Sequence, residues 1–286
     1  EQKLDVKEQV ILFHNRRGYA PISRCTHCGW HAMCQHCDIS LTAHRKEGKL
    51  KCHYCGYQER TPKYCPDCGH PSIIEEGVGT EKVEDELSQI FAQARIQRLD
   101  WDTTRGKKSY QKIIDQFEDG EIDILIGTQM ITKGLDFTNV GLVGIVHADQ
   151  LLFFPDFRAN EKAMQTLIQV SGRAGRRAKK GLVLVQTSKP DHPVIRWLSA
   201  HDYKSFYRSE IGQRKKFKYP PYSKLIHLEI KHTRREKALK AAQALQYFYR
   251  DKVNGELSDV AQAPIPRIAN YYIYQLQVKI LPPYDQ

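Results

Sequence analysis

The sequence predicts an α/β fold: a parallel sheet with helices on both faces, a cysteine-rich metal module set into it, and a small α+β domain behind it. Three observations carry that expectation. From Val10 to Val185, short apolar runs of strand length alternate with amphipathic helical segments, the pattern of a sheet buried on both sides. All eight cysteines of the 286 residues lie between Cys25 and Cys68, just after the first of those runs. Beyond residue 222 the order becomes strand, helix, strand, without another cysteine.

Val10-Ile11-Leu12-Phe13 reads as the first buried strand, and Asn15-Arg16-Arg17-Gly18-Tyr19 follows it. From Ser72 the alternation resumes. Thr80 can cap a helix running through Phe91, with Val83, Leu87, Ile90 and Phe91 on one face. Ile96 to Leu99 is strand-like, Tyr110 to Phe117 is helical with a stop near Gly120, and Ile122 to Ile126 and Gly141 to Val146 are strands. Arg158 to Val170 is helical and Leu182 to Val185 is a further strand. The α+β end has a strand over Leu225 to Ile230, a helix from Arg234 to about Tyr249, and one or two strands up to Ile280. The expected organisation is residues 1–23 with 71–189 as one α/β lobe, 24–70 as an insertion between its first strand and first helix, 190–222 as a helical connector, and 223–286 as the α+β domain.

The cysteines form four Cys-x-x-Cys pairs: Cys25/Cys28, Cys34/Cys37, Cys52/Cys55 and Cys65/Cys68. Two-residue spacing lets a tight knuckle aim two thiolates at one ion, and two knuckles complete a tetrahedron, so eight thiolates fill two closed zinc sites. Gly29, Gly56 and Gly69 follow three of the pairs, where a turn wants positive φ. The segment between Cys37 and Cys52 reads as a hairpin turning near Gly48. Its ends come together, which makes Cys34, Cys37, Cys52 and Cys55 the inner site and leaves Cys25, Cys28, Cys65 and Cys68 for the outer one. Interleaved pairing stays open. His27, His31, His36, His53 and His70 are not needed as ligands and are expected on the surface. With every coordination position filled by protein, both sites are expected to be structural.

Cysteines gathered in one island of a long chain suit metal in a reducing cytoplasm better than a disulfide framework. No apolar run approaches the roughly 18 residues of a spanning helix, and no secretory signal is visible. Lys and Arg total 44 against 33 Asp and Glu, a formal charge of +11, which two zinc ions on eight thiolates lower to about +7. The chain still suits an anionic partner. Arg16-Arg17, the Lys46/Lys49/Lys51 hairpin and Arg214 to Lys218 are the basic patches, and Tyr19, Trp30, Tyr54, Tyr57, Phe217 and Tyr219 are candidates to stack on unpaired bases, about half of them being expected to serve packing instead.

The stretch that carries chemistry is Gln169-Val170-Ser171-Gly172-Arg173-Ala174-Gly175-Arg176, at a helix end. Arg173 and Arg176 can present two guanidinium forks to one phosphate. Upstream, Gly127-Thr128 and Gly134-Leu135-Asp136 follow a strand, and the carboxyl ends of parallel strands are where ligands collect. Gly127 permits close approach, Thr128 offers a hydroxyl and an amide to a phosphate, and Asp136 can hold a ribose hydroxyl or orient an arginine. No Gly-x-x-x-x-Gly-Lys-Ser/Thr phosphate loop is present, and Glu84-Asp85-Glu86 lies on a helix face instead of at a strand end.

These residues resemble the second, RecA-like motor lobe of superfamily 2 helicases: Gly127-Thr128 with Gly134-x-Asp136 looks like motif V, and Gln169-x-x-Gly172-Arg173-x-x-Arg176 like motif VI. With Asn15 to Pro21, the four-knuckle insertion, Asp102-Thr103-Thr104-Arg105 and Pro155-Asp156-Phe157-Arg158-Ala159, nearly the whole chain resembles the primosomal protein N′ family of replication-restart helicases. The resemblance implies that Arg173 and Arg176 are arginine fingers facing ATP and Mg²⁺ held by another lobe. It implies that Gly134, Asp136, Gln169 and Gly172 line that cleft, and that Thr128 contacts the DNA backbone or couples it to the nucleotide, while the basic pair Arg16 and Arg17 is expected to meet DNA by its charge. It further implies a 3′ to 5′ DNA helicase that acts at stalled forks and on single-stranded DNA, with single-strand-binding protein and other primosome proteins as partners, working as a cytoplasmic monomer. Leu135 stands where some relatives have His, and the closing helix and strand of the family's C-terminal domain are not found after Ile280, so that domain reads as shortened. Lacking Met at its start, the chain reads as a fragment, and without a phosphate loop it is expected to hydrolyse no ATP alone. Two other readings compete: another superfamily 2 motor such as a fork-reversing translocase, and a non-enzymatic zinc-ribbon adaptor for nucleic acid.

Overall fold

The computed structural model of the chain describes residues 1–14, 22–44, 47–76, 79–100, 103–104, 106–132, 137–175 and 181–283. Two compact units emerge: Glu1–Ala20 with Val78–Glu210, and Pro21–Gly77 with Ile211–Gln286. Five strands of the first unit form a parallel sheet in the spatial order Leu182–Val185, Val140–Val146, Gln9–His14, Ile124–Gly127, Ile96–Leu99. Side chains alternate across it, as the period of two requires. Ile11, Phe13, Leu125, Val143 and Ile145 face a core shared with the helices Lys107–Glu118 and Ala159–Ser171. Val10, Ile124 and Ile126 face the opposite way, toward Val83 and Leu87 of the helix Thr80–Ile90. Helices Pro193–Ser199 and Tyr203–Lys216 add Val194 and Phe206 to the first face.

Two sequence readings change at this level. Thr80 does not cap its helix. Gly79 holds the cap position in extended geometry, and the buried Thr80 hydroxyl donates to Asp100 Oδ2 at 2.7 Å. The hydroxyl is drawn off by a buried carboxylate that sits 20 residues away in sequence, which local propensity does not register. Gly127 does admit a close neighbour, but the neighbour is internal: a Cβ there would stand 2.1 Å from Cδ1 of the fully buried Ile131.

Gln9 ties three elements together. Its buried Nε2 donates to the carbonyl of Phe117, at the end of a helix, at 2.6 Å and to that of Ile122, just before the next strand, at 2.8 Å. Gln9→Leu would strand both carbonyls, so a loss of about 1–3 kcal/mol is expected in urea unfolding of this unit. A loss of less than about 0.5 kcal/mol would mean that the two carbonyls find other donors.

In the second unit, Ile22–Cys25 pairs antiparallel with Ile73–Glu76. Between them Thr42–His44, Lys49–Lys51 and Gln58–Arg60 make a small antiparallel sheet. The hairpin turns at Gly48, whose φ of +60° suits glycine. The third of these strands, Gln58–Arg60, has no apolar alternation to announce it. The carboxyl-terminal part is a four-stranded antiparallel sheet: Tyr271–Ile280 pairs with Lys224–His232, Gly255–Leu257 and Ala261–Ile268. Helix Arg235–Tyr249 closes on it through Ala238 and Ala242, whose small side chains let the helix approach Tyr274. Among the described residues, no helix is long and apolar enough to cross a membrane.

Candidate functional site

The eight cysteines gather into two groups, Cys25/Cys28/Cys65/Cys68 and Cys34/Cys37/Cys52/Cys55, with the ligand atoms of each within 4.8 Å of one another. This is the nested pairing expected from the hairpin. Sulfur separations are 3.7 Å for Cys25–Cys68, 3.5 Å for Cys28–Cys65 and 3.5 Å for Cys34–Cys55. Four thiolates at tetrahedral distance around one zinc stand about 3.8 Å apart, so both groups fit the ion. The chemistry agrees: all-sulfur tetrahedra select zinc or iron–sulfur centres, and paired knuckles are the zinc form. Each ion would act as a cross-link, joining knuckles whose own apolar core is small: Ala32, Leu41, Ala43 and Leu50 beside the inner cysteines.

The knuckles are built alike. In each, the first cysteine's amide donates to the carbonyl five residues on: Cys25 to Trp30, Cys34 to Ile39, Cys52 to Tyr57, Cys65 to His70. Three close with a glycine at φ of +71° to +80°, whose amide returns to the first cysteine's carbonyl. The two groups differ in exposure. Cys28 and Cys68 of the outer group are exposed, whereas Cys34, Cys37 and Cys52 are buried and Cys55 half-buried. Alkylation of the zinc-loaded chain should therefore label Cys28 and Cys68 before Cys34, Cys37 or Cys52, as peptide mapping would read. Labelling of both sets at one rate would contradict that order.

In the first unit, helix Ala159–Ser171 runs into Gly172 and Arg173, whose amides still bond back to Ile168 and Val170. Gly175, at φ of +68°, then donates its amide to the carbonyl of Val140, the first residue of a sheet strand, at 3.0 Å. Gly181 approaches so closely that a Cβ on it would stand 2.3 Å from the Gly175 amide nitrogen. The helix end is thus pinned to the sheet, with Gln169 and Gly172 exposed and Arg173 half-buried. Thr128 is half-buried directly after strand Ile124–Gly127, and its carbonyl starts the 3₁₀ turn Gln129–Thr132, which packs against the same helix. The structure therefore brings the Thr128 turn beside the helix that carries Gln169, Gly172 and Arg173. Arg16, Arg17, Gly134, Asp136 and Arg176 lie outside the described residues.

Asp156, in the Pro155-Asp156-Phe157-Arg158 segment, accepts from Arg158 Nε and Nη2 at 3.1 and 3.0 Å and from Lys162 Nζ at 2.6 Å. The Arg158 guanidinium, foremost, holds that carboxyl well below the usual carboxylate range. Sequence reading gave this aspartate no such role. Of the acidic run, Glu84 pairs with Arg98 at 2.9 Å. Among the aromatics proposed for stacking, Tyr54 and Phe217 are exposed, but Trp30 packs on the metal module and Tyr57 donates to Glu59 at 2.7 Å. The Lys279 ammonium lies 4.3 Å from the Tyr219 ring centre.

The sheet, the pinned arginine-bearing helix end and the inserted cysteine module together define the second lobe of a helicase: the helicase conserved C-terminal domain matches residues 76–178. Two further families match on either side of that lobe's sequence, the PriA DNA helicase Cys-rich region domain over 34–60 and the primosomal protein N C-terminal domain over 215–285. The chain belongs to the primosomal protein N′ family, whose curated members are called replication restart protein PriA. It is 43% identical over 281 residues to that protein of Bacillus subtilis (strain 168), covering 98% of this chain and 35% of the relative. It is 44% identical over 279 residues to that of Synechocystis sp., covering 96% and 34%, and 39% identical over 277 residues to that of Haemophilus influenzae, covering 96% and 38%. The chain thus spans about a third of the length of these relatives. A solved structure of the C-terminal domain of the DEAD-box protein Dbp5 is 14% identical with a TM-score of 0.36, over 72% of this chain and 78% of that one, a likeness too loose to carry an argument.

Proposed function

We propose that this chain supplies the second motor lobe, zinc module and C-terminal domain of an ATP-dependent 3′ to 5′ DNA helicase that restarts replication at stalled forks by primosome assembly. One observation carries the reading: a helicase C-terminal lobe whose first strand leads into a two-site cysteine module, in a chain whose relatives are named replication restart proteins. Residues 1–23 with 71–189 would form the lobe, 24–70 the module, 190–222 the connector and 223–286 the last domain. Arg173 and Arg176 would be the arginine fingers, and Gln169, Gly172, Gly134 and Asp136 would line the nucleotide cleft. ATP with Mg²⁺ would be held chiefly by a partner lobe that carries the phosphate loop. Thr128, Arg16 and Arg17 would contact the DNA backbone. Phosphate contacts of this kind give affinity without sequence choice, which suits recognition of a fork by its shape. Forks, single-stranded DNA, single-strand-binding protein and other primosome proteins would be the partners of a cytoplasmic monomer.

The test is a phosphate-release assay on forked DNA. The full-length protein should hydrolyse ATP faster with DNA than without it, and this chain alone should stay at background. Turnover by this chain alone would overturn the division of labour between lobes. A full-length protein that binds forks but shows no DNA-stimulated hydrolysis would overturn the motor reading.

A further inference from the structure

Three of the four knuckles close on a glycine amide that returns to their own first cysteine. Cys34–Cys37 has no such glycine. Asp38 stands there, and its amide donates instead to the carbonyl of Arg267, at 2.9 Å. That carbonyl belongs to a hairpin of the carboxyl-terminal sheet, more than 200 residues away in sequence. Ile268 and Tyr271 are register partners, so Ala269 and Asn270 form a two-residue turn, with φ of +48° and +65°. The tip makes further bonds to the same knuckle. The Ala269 amide donates to Cys37 Sγ at 3.2 Å, and the Asn270 amide donates to the His36 carbonyl at 2.8 Å. Arg267 Nε reaches Asp38 Oδ1 at 3.0 Å, Asn270 Nδ2 lies 3.2 Å from His36 Nδ1, and Ile268 packs on the inner cysteines' apolar cluster.

We propose that the hairpin tip Arg267–Asn270 is the outer wall of the inner zinc site, so that retention of that ion and docking of the carboxyl-terminal sheet are one equilibrium. The physical reason is in the knuckle. An N–H aimed at a ligating thiolate stabilises its charge and fixes its direction, and the closure supplied elsewhere by glycine is supplied here by a second domain. By reciprocity, whatever loosens the tip loosens the ion, and loss of the ion frees the tip. The inference needs the zinc sites alone and does not rest on the motor reading.

The experiment uses the zinc-loaded chain carrying Ile268→Ala and Asn270→Gly. Glycine keeps the positive φ and the amide bond to the His36 carbonyl while removing the side-chain contact to His36 Nδ1. Zinc release to a chromophoric chelator, with peptide-mapped alkylation, assigns each ion to its site. The inner site, read at Cys34 and Cys37, should empty about tenfold faster than in the parent, while the outer site, read at Cys28, keeps its rate. Equal rates in variant and parent would overturn the proposal, as would equal acceleration of both sites. The reverse arm uses Cys55→Ser, which removes an inner ligand outside the tip contact. Hydrogen exchange should then rise at the amides of Asp38, Ala269 and Asn270, while the ladder between Leu225 and Lys279 stays protected. Unchanged exchange at those three amides would refute the coupling.

Discussion

Arg173→Ala in the full-length protein is expected to lower the turnover number of DNA-stimulated ATP hydrolysis by about 10³-fold, with little change in KM for ATP. An arginine finger acts on charge that develops as the γ-phosphoryl group leaves, so its loss appears in kcat and not in ground-state binding. The fold supports such a role through rigidity. The Arg173 amide bonds to Val170, and two residues on the Gly175 amide is locked to the first residue of a sheet strand. A donor held this way loses little reorganisation energy when charge appears. Arg173→Lys keeps the charge but not the planar fork, and should recover little of the rate. Zinc content should match the parent for both variants, since all eight cysteines lie between Cys25 and Cys68. A fall in kcat of less than about tenfold in the alanine variant would remove Arg173 from the reacting centre.

What sequence alone reveals here follows from the range of the interactions involved. The strands Gln9–His14 and Ile124–Gly127 lie close to the residues expected, because an inner parallel strand is buried on both faces and reads as an apolar run, whereas Ile96–Leu99 and Leu182–Val185 are found over the residues expected at the two edges of the sheet. The nesting of the cysteines was readable because a hairpin is a local device and brings its own ends together. Thr80 misled because its hydroxyl answers to Asp100 on another element. The tip Arg267–Asn270 was missed for the same reason: its target lies on a different module. Two signals were nonetheless present, an Asn at a turn position between alternating strands and the missing glycine after Cys37. At the carboxyl end of helix Ala159–Ser171 the sequence motif reaches further than the fold, since Gly134, Asp136 and Arg176 lie outside the described residues while Gln169, Gly172 and Arg173 sit on one pinned helix end.

Cys37→Ser is expected to have the largest structural effect of any single ligand change. Cys37 is fully buried, belongs to the inner group and accepts the Ala269 amide, so one substitution strikes the ion, the apolar cluster and the tip contact. Zinc-binding free energy in such modules is about 10–16 kcal/mol and is largely folding energy, because the site does not exist in the unfolded chain. The cluster of Ala32, Leu41, Ala43 and Leu50 is too small to hold the knuckles without it. One of two zinc equivalents should be lost, measured by elemental analysis, and amide protection should vanish over Thr42–Lys51 while the parallel sheet keeps its own. Cys28→Ser, at an exposed ligand of the outer group, should also release one equivalent but leave Thr42–Lys51 protected. The pH dependence has a definite sign. Burial, foremost, pushes the Cys37 thiol up to about 12, against the Ala269 amide that pulls it down and with Cys55 and Cys52 adding to the rise. A thiol so raised keeps its proton at neutral pH until a dication displaces it, so zinc binding releases protons and weakens as pH falls. Zinc content that stays at two equivalents in the Cys37→Ser chain would show that the inner ion is held by some other donor set.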